Sequence, residues 1–380
     1  MLETFLNAKP LFYDKIDYTR MPRVYEKIKD RLPLPKIIHL IGTNGKGTTG
    51  RFLATALHNI GFNVGHYTSP HILKFNERIW MNGENVDDRV LEVAHSELLN
   101  LLSNEDADSL SYFEYTTFLA MIIYQDMDYV VLEAGLGGEH DATAVFAKTL
   151  TLVTPIDIDH EAFLGNSVEA IATTKLNAIQ NYAILSKQKH SVVQDVANEL
   201  SVEKNISIKN VSDILSDSDY EKATLIAEEN NLVAYLKENL ELAISALCFL
   251  GISYEVKDFN NARLYGRLTQ LKENVLVDVG HNILAAKAIV KSLKEFKYTL
   301  VYNSYKDKNY EEILSILEPI IEDVEVITIN DERGESVVVM QELLNKMQIK
   351  NRLFKEVVKE KNYLVFGSFS VVEAFLKGEE

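Results

Sequence analysis

Cysteine is almost missing. Cys248 is the only one in 380 residues, so no internal disulfide can form, and in its apolar helical run it reads as a small core residue. Basic charge is also short. Against 39 Lys and Arg stand 56 Asp and Glu, a formal charge of −17, which argues against a nucleic-acid binder because no domain-wide basic stripe is visible. The longest nearly unbroken apolar run, Leu242–Ile252, is too short to span a bilayer. The opening MLETFLNAKP lacks the basic-then-apolar layout of a signal peptide. Proline-rich linkers, repeats and low-complexity tracts are absent. The expectation is a soluble cytoplasmic protein that engages neither nucleic acid nor membrane. What the chain has in quantity is apolar surface, 47% of its residues, enough for a large core, and two domains are the natural expectation at this length.

The chain is organised around Lys36–Gly61. Lys36–Ile41 is short, apolar and β-branched, which suits a parallel strand covered on both faces. Gly42, Gly45 and Gly47 follow, three glycines in six residues. Phe52, Leu53, Ala56, Leu57 and Ile60 then recur at helical spacing, with Gly61 as the stop. A strand, a Gly-Lys-Gly turn and a helix N-terminus form an anion cradle, to which Lys46 adds a full positive charge. The common phosphate loop places Ser or Thr directly after the lysine. Here Gly47 intervenes, giving GTNGKGT, so Thr48 is the candidate hydroxyl for Mg2+. A turn that needs glycines for geometry alone does not explain Lys46; a nucleotide triphosphate site does. In so acidic a chain that site must be locally electropositive or contain metal.

Further along, Asn63–Tyr67 reads as a strand running into Thr68-Ser69-Pro70, and the Ser69 hydroxyl is open to two readings, weak metal ligand or turn cap. Ser111–Tyr124 reads as a buried helix in which Tyr112, Phe113 and Tyr115 are core residues by default and Glu114 needs a partner if buried. Asp128–Glu133 is a strand ending in an acid ahead of a glycine loop, the usual position of a Mg2+ holder. His160 follows the strand Thr149–Thr154, and chemistry alone ranks it no better than even as a magnesium ligand. A helix starts after Gly165 with Asn166 as its cap and Glu169 three residues on. Lys175 rides on it and by itself reads as a surface lysine. Leu232–Leu250 is another helix, carrying Asn239. Beyond Asn260 the strands Val275–Val279, Tyr298–Tyr302, Val324–Ile329 and Tyr363–Phe366 alternate with helices, a second α/β unit. The expected division is 1–265, a linker at 266–273, and 274–380.

The segments GTNGKGTT (42–49), YTSPHILKFNERI (67–79), SYFEY (111–115), LEAGLGG…DAT (132–143), DH…LG (159–165), IATTK (171–175), YGRL (265–268), DVGHN (278–282), KDK (306–308) and FGSF (366–369) run in this order across nearly the whole chain. Together they resemble the dihydrofolate synthase/folylpolyglutamate synthase family, a branch of the Mur-ligase-like ATP-dependent amide ligases. The resemblance implies an α/β fold: a phosphate-loop-type, mostly parallel N-terminal ATPase domain and a smaller Rossmann-like C-terminal domain. It implies that Thr43, Asn44, Gly45, Lys46, Gly47 and Thr48 hold the ATP phosphates. Asn239, Arg267 and Asp278 contact the nucleotide, with His281 beside them. Ser69, Glu133 and His160 are implied as protein ligands of two Mg2+ sites, and Lys175 as a lysine that becomes carbamylated. Lys46, Lys175 and His160 form the implied catalytic set. Asp17, Tyr18, Thr19 and Arg20, Ser111, Tyr112, Phe113 and Glu114, and His140, Asp141 and Ala142 fall where a pterin substrate binds. A K+ ion is a further implied cofactor and a monomer the implied state. The chain departs from the family at Thr174-Lys175-Leu176-Asn177, where Glu-Lys-Ala-Gly is usual, at Glu139, where arginine is common, and at Ile283, where proline is usual.

The implied reaction joins L-glutamate to 7,8-dihydropteroate, and further glutamates to reduced folates, through an acyl phosphate formed with ATP. No Ser-His-Asp or Cys-His set is needed for that chemistry. The alternatives are a folylpolyglutamate synthase lacking the first activity, a muramyl-peptide-type ligase, against which YTSPH and FNERI argue, and a nucleotide-binding switch or transport ATPase. The last would not need Asp278-Val-Gly-His-Asn282.

Overall fold

Short β-branched runs become strands whose alternate side chains enter opposite layers of core. In the computed structural model, which describes residues 1–9 and 17–379, these strands build two sheets in two units, Met1–Arg263 and Leu264–Glu380. The first sheet contains β1 (Lys36–Ile41), β2 (Val64–Tyr67), β3 (Ile79–Met81), β4 (Glu84–Asn85), β5 (Tyr129–Glu133), β6 (Leu150–Val153), β7 (Tyr182–Leu185) and β8 (Ser207–Asn210). Its order is β4-β3-β2-β5-β1-β6-β7-β8. The strands from β2 to β8 in that order are parallel, and β3 and β4 turn back antiparallel at one edge. Strand order reverses at β1, the place where open α/β sheets bind ligands.

The period of two decides which helices cover which face. Ile37, Tyr67, Val130 and Leu132 pack with Val24, Ile28, Leu91, Leu98, Phe118 and Leu119, so the helices Arg20–Ile28, Asp88–Leu101 and Tyr112–Ile123 cover one face. Ile38, Leu40, Val131 and Leu152 pack with Leu53, Leu57, Leu240, Ala243 and Leu247, from the helices Lys46–Ile60 and Ala234–Phe249. Each fully buried Leu or Phe stabilises by about 1.5–3 kcal/mol.

The second unit has β9 (Thr269–Lys272), β10 (Val275–Val277), β11 (Tyr298–Tyr302), β12 (Ile321–Val326), β13 (Asn351–Leu353) and β14 (Tyr363–Phe366). They lie in the order β13-β12-β11-β14-β10-β9, parallel except for β9.

Several sequence expectations shift here. The segment 266–273 is not a free linker: β9 lies inside it and pairs antiparallel with β10. The strand expected at 324–329 begins earlier, at Ile321, because Ile321, Val324 and Val326 are its buried apolar residues. The helix after Gly165 is capped by Ser167, whose hydroxyl accepts from the Ala170 amide, rather than by Asn166. Of the helical lead-in expected over 1–35, residues 10–16 lie outside the described residues, and the helices Leu2–Asn7 and Arg20–Ile28 flank them. Among the described residues no helix is long and apolar enough to cross a membrane.

One close approach locks β2 to its covering helix. A Cβ on Gly65 would overlap the ring of Tyr124, whose buried hydroxyl lies 2.9 Å from the His66 carbonyl. Gly65→Ala is therefore expected to cost about 1–3 kcal/mol through overpacking, read as a lowered thermal midpoint in calorimetry; an unchanged midpoint would contradict this packing.

Candidate active site

β1 ends at Ile41 and the helix Lys46–Ile60 begins four residues after Gly42. Two positions of the turn between them, Gly42 and Gly45, tolerate no side chain. Gly42 has φ 136° and Gly45 φ 93°; a Cβ on the first would overlap Thr154 Oγ1, and on the second Asn239 Oδ1. The amides of Thr43 and Asn44 both point to the Pro155 carbonyl, at 2.9 and 3.4 Å. Thr43 Oγ1 donates to the Asp157 carbonyl at 3.0 Å. The loop is thus pinned to the end of β6. The N–H groups that open the helix, those of Lys46, Gly47 and Thr48, have no intrahelical acceptor and are the donors a phosphate could use.

Register brings the next groups in. Leu40 pairs with Glu133 across β1 and β5, and Tyr67 with Leu132 across β2 and β5, so the loop, Glu133 and Ser69 emerge side by side. Glu133 is buried. Its Oε2 accepts from Thr68 Oγ1 and from the Ser69 amide at 3.2 Å, while Oε1 lies 4.0 Å from Lys46 Nζ. Lys46 Nζ itself donates to the Gly42 and Thr43 carbonyls at 3.2 and 3.3 Å. Thr68 was not among the residues singled out from sequence, although its place beside Ser69 at a strand end was the available signal.

The divalent ion that the sequence implies suits this donor set. A buried carboxylate whose Oε1 takes no hydrogen bond among the described residues, next to a serine at a strand end, supplies the hard oxygens that Mg2+ prefers. His160 is less closely integrated. It starts the short helix Glu161–Leu164 with φ 53°, its side chain is 44% exposed, and its Nε2 lies 4.0 Å from Asp159 Oδ2. Among the described residues no group of three or more His, Cys, Asp or Glu converges as a metal cage.

Lys175 departs most from its residue-level reading. It is 4% exposed, and Nζ donates to the Gly42 carbonyl at 2.9 Å. Burial first, then the neighbouring Lys46 charge, push its pKa down to about 7, against the pull of Asp159 and Asp141. The glycine loop after Glu133 explains the fit: a Cβ on Gly138 would come within 2.8 Å of the Lys175 Cα, so only glycine lets that loop lie on the Lys175 backbone.

The residues expected at a pterin divide into two groups. Arg20 Nε donates to Glu114 Oε2 at 2.6 Å, which also accepts from the Ser111 amide at 2.7 Å, giving the buried carboxylate the partner it needs. Tyr18 and His140 lie ring against ring at 4.4 Å. Thr19 donates to Asp17 Oδ1 at 2.7 Å. These residues bring the start of the Arg20–Ile28 helix to the start of the Tyr112–Ile123 helix. Phe113 instead packs against Gly135 and Tyr67, and Tyr112 lies under the Arg78 guanidinium at 5.4 Å. Asp141 is buried and fully engaged: Oδ2 accepts from the Gly135 and Leu136 amides at 2.9 and 2.8 Å, and Oδ1 from the Thr143 amide and hydroxyl at 2.9 and 2.5 Å. It clasps the glycine loop. Ala142 is buried at the start of the turn that follows.

Asn239 is buried against Gly45 in the first unit. In the second unit Asp278 Oδ2 accepts from the Leu268 amide at 2.8 Å and Oδ1 from the Gly280 amide at 2.7 Å. That carboxylate fixes the loop carrying Arg267, whose guanidinium lies 5.3 Å from the Phe369 ring. His281 Nδ1 is 3.1 Å from the Val279 carbonyl.

The depressed Lys175 pKa has a stability consequence with a fixed sign. Between about 7 and 10.5 the unfolded chain binds a proton there that the folded chain does not, so stability rises with pH across that window. In CO2-free buffer the wild type is expected to gain up to about 1.4 kcal/mol per pH unit relative to Lys175→Met between pH 7.5 and 9.5; parallel urea-unfolding curves for the two proteins would refute the assignment.

No family model matches the chain. It is 30% identical to the dihydrofolate synthase/folylpolyglutamate synthase of Escherichia coli over 370 residues, covering 90% of this chain and 86% of that protein. It is 29% identical to the Haemophilus influenzae protein of the same name over 94% of this chain and 92% of the relative. Among solved structures it resembles Helicobacter pylori folylpolyglutamate synthetase, with TM-score 0.80, 37% identity and coverage of 100% and 97% of the two chains. It also resembles the E. coli protein in complex with DHPP and ADP, with TM-score 0.81, 25% identity and coverage of 98% and 95%. With the phosphate loop, the acid-ended strand and the buried lysine in place, the chain belongs to the dihydrofolate synthase/folylpolyglutamate synthase family.

Proposed function

We propose that this chain, an ATP-dependent amide ligase, adds L-glutamate to 7,8-dihydropteroate to give dihydrofolate and then adds further glutamates to reduced folates. The observation that carries the reading is the meeting of Lys46 Nζ and Glu133 Oε1, 4.0 Å apart, at a helix N-terminus where strand order reverses. Family membership sets aside the switch or transport ATPase.

Condensing a carboxylate with an amine in water is uphill, so the carboxylate must be activated. Its oxygen attacks the γ-phosphorus of ATP, the bond to the β-phosphate oxygen breaks, and ADP leaves an acyl phosphate. The glutamate amine then attacks the acyl carbon, loses a proton, and expels inorganic phosphate. Two anions have to approach in the first step. Lys46, the amides of Gly47 and Thr48 and the helix dipole offset that repulsion. Ser69 and Glu133, with His160, would hold Mg2+, which when bound supplies further charge neutralisation at the phosphates. Arg20, held by Glu114, and the Tyr18–His140 pair would receive the pterin. Arg267 and Asn239 would contact the nucleotide.

The neutral Lys175 amine is the form that reacts with CO2: an N–C bond forms, a proton leaves, and a cationic position becomes an anionic carbamate able to orient Mg2+. With 13C-labelled bicarbonate at pH 8, a carbamate carbonyl resonance is expected in the wild type and its loss in Lys175→Arg; a spectrum without it at any pH from 7 to 9 would remove carbamylation from the mechanism.

The activity itself is tested by phosphate release with Mg2+ and ATP. Release should require dihydropteroate and glutamate together, and Lys46→Ala should keep its fold while losing at least about 100-fold in rate. Near-normal turnover in that variant would overturn the phosphate-loop assignment. Activity with reduced folate but none with dihydropteroate would select the narrower folylpolyglutamate synthase.

A further inference from the structure

A second concave surface of the first unit has nothing to do with the residues assigned above. It is a cleft of about 630 Å3 between the later turns of the Lys46–Ile60 helix, the β3–β4 turn and residues 257–263. Small-molecule sites run from about 300 to 1,000 Å3. Its floor is Arg51, which is 9% exposed. The guanidinium donates from Nε to His66 Nδ1 at 3.3 Å and lies 4.8 Å over the Trp80 ring. Among the described residues no carboxylate pairs with it, and it lines the cleft. A guanidinium taken out of water without a counter-ion is costly, and burial has pushed this one down to about 10. Lys257 and Arg263 stand exposed at the rim and His58 half-buried beside Trp80. The one acid of the lining, Asp258, spends Oδ2 on the Glu255 amide at 2.8 Å. In a chain of formal charge −17, a cleft lined by a buried, unneutralised guanidinium and two further cations, one of which (Arg263) also donates to the Asn230 carbonyl, is not a general property of the surface.

We propose that this cleft is a second anion site, which takes a small phosphate ester with its phosphate on the Arg51 guanidinium and its sugar-sized body in the rest of the cleft. A planar guanidinium matches phosphate oxygens bidentately, the rim cations offset the remaining charge, and a cleft of about 630 Å3 has room for a body that inorganic phosphate would leave unfilled.

The chain reports on the site by itself, because Trp80 is its single tryptophan. Titration with ribose 5-phosphate is expected to give a saturable change in tryptophan fluorescence and a matching calorimetric heat. Inorganic phosphate should bind about tenfold more weakly. The double variant Lys257→Ala/Arg263→Ala, confined to exposed side chains, should weaken binding by about fivefold or more, and Arg51→Met by at least about twentyfold. Lys46→Ala should leave it unchanged. Absence of both fluorescence change and heat in the wild type up to about 10 mM would overturn the proposal. So would binding that is lost in Lys46→Ala yet intact in the rim double, which would place the ligand at the phosphate loop. Equal affinity for inorganic phosphate would overturn the sugar-sized body. Should Arg51→Met fail to fold by circular dichroism, the rim double decides.

Discussion

β1 lies between β5 and β6, and its register against each decides which groups can meet. Leu40 opposite Glu133 and Ile41 opposite Val153 bring the ends of three strands to one level. There Gly42 fits under Thr154 only because it has no side chain, and the Pro155 carbonyl gathers two loop amides. A slip of one residue would turn every side chain of β1 to the opposite face, moving Ile38 and Leu40 out of the layer they share with Leu53 and Leu57. Glu133 would then lose its place beside Lys46. The phosphate loop is therefore a consequence of core packing as much as of its own glycines.

Charge in the site is arranged by the same geometry. Lys46 and Lys175 both reach the Gly42 carbonyl, and two amines this close cannot both carry a proton cheaply inside a protein. Lys175, the deeper one, yields. The result is a lysine at the helix N-terminus and, behind it, a buried one whose pKa is held down to about 7, in a chain whose overall charge is strongly negative. Asp141, held above the usual carboxylate range by burial despite its hydrogen bonds, keeps the glycine loop seated over Lys175 through the amides of Gly135 and Leu136.

How far residues alone reveal such a site depends on whether the cause is local. The strand–turn–helix of 36–61 was legible because periodicity, glycine spacing and a lone lysine all lie within one short segment, and Glu133 was legible because an acid before a glycine loop is a local pattern too. Lys175 was not. Nothing within its helix distinguishes it from a solvated lysine, and its burial comes from a glycine loop far away in sequence; the family resemblance, not the residue pattern, pointed to it. Asp141 was placed with the substrate residues because its motif is near them, yet its four contacts go to backbone and to Thr143. The pairing of Arg20 with Glu114 was likewise invisible, since only the folded helices bring the two together. The strand in 266–273 was missed because Thr269–Lys272 is polar and half-exposed, as an edge strand is, and carries no apolar alternation.

The Lys46–Ile60 helix carries more than the phosphate loop. It is buried over most of its length, and a buried helix leaves its polar residues few places to go. Gly50 packs so closely on His66 that a Cβ would overlap the ring, and that ring in turn accepts from Arg51. His66 is held neutral, well below its usual pKa, by burial and by the Arg51 charge, so it can orient the guanidinium but cannot neutralise it. Among the described residues Arg51 therefore has no charge to meet its own, and the cleft it lines is where one can come from. A core helix that presents backbone donors at its N-terminus and a buried guanidinium one turn later holds two groups suited to anions in fixed relation, because neither the glycine contact nor the histidine allows it to rotate.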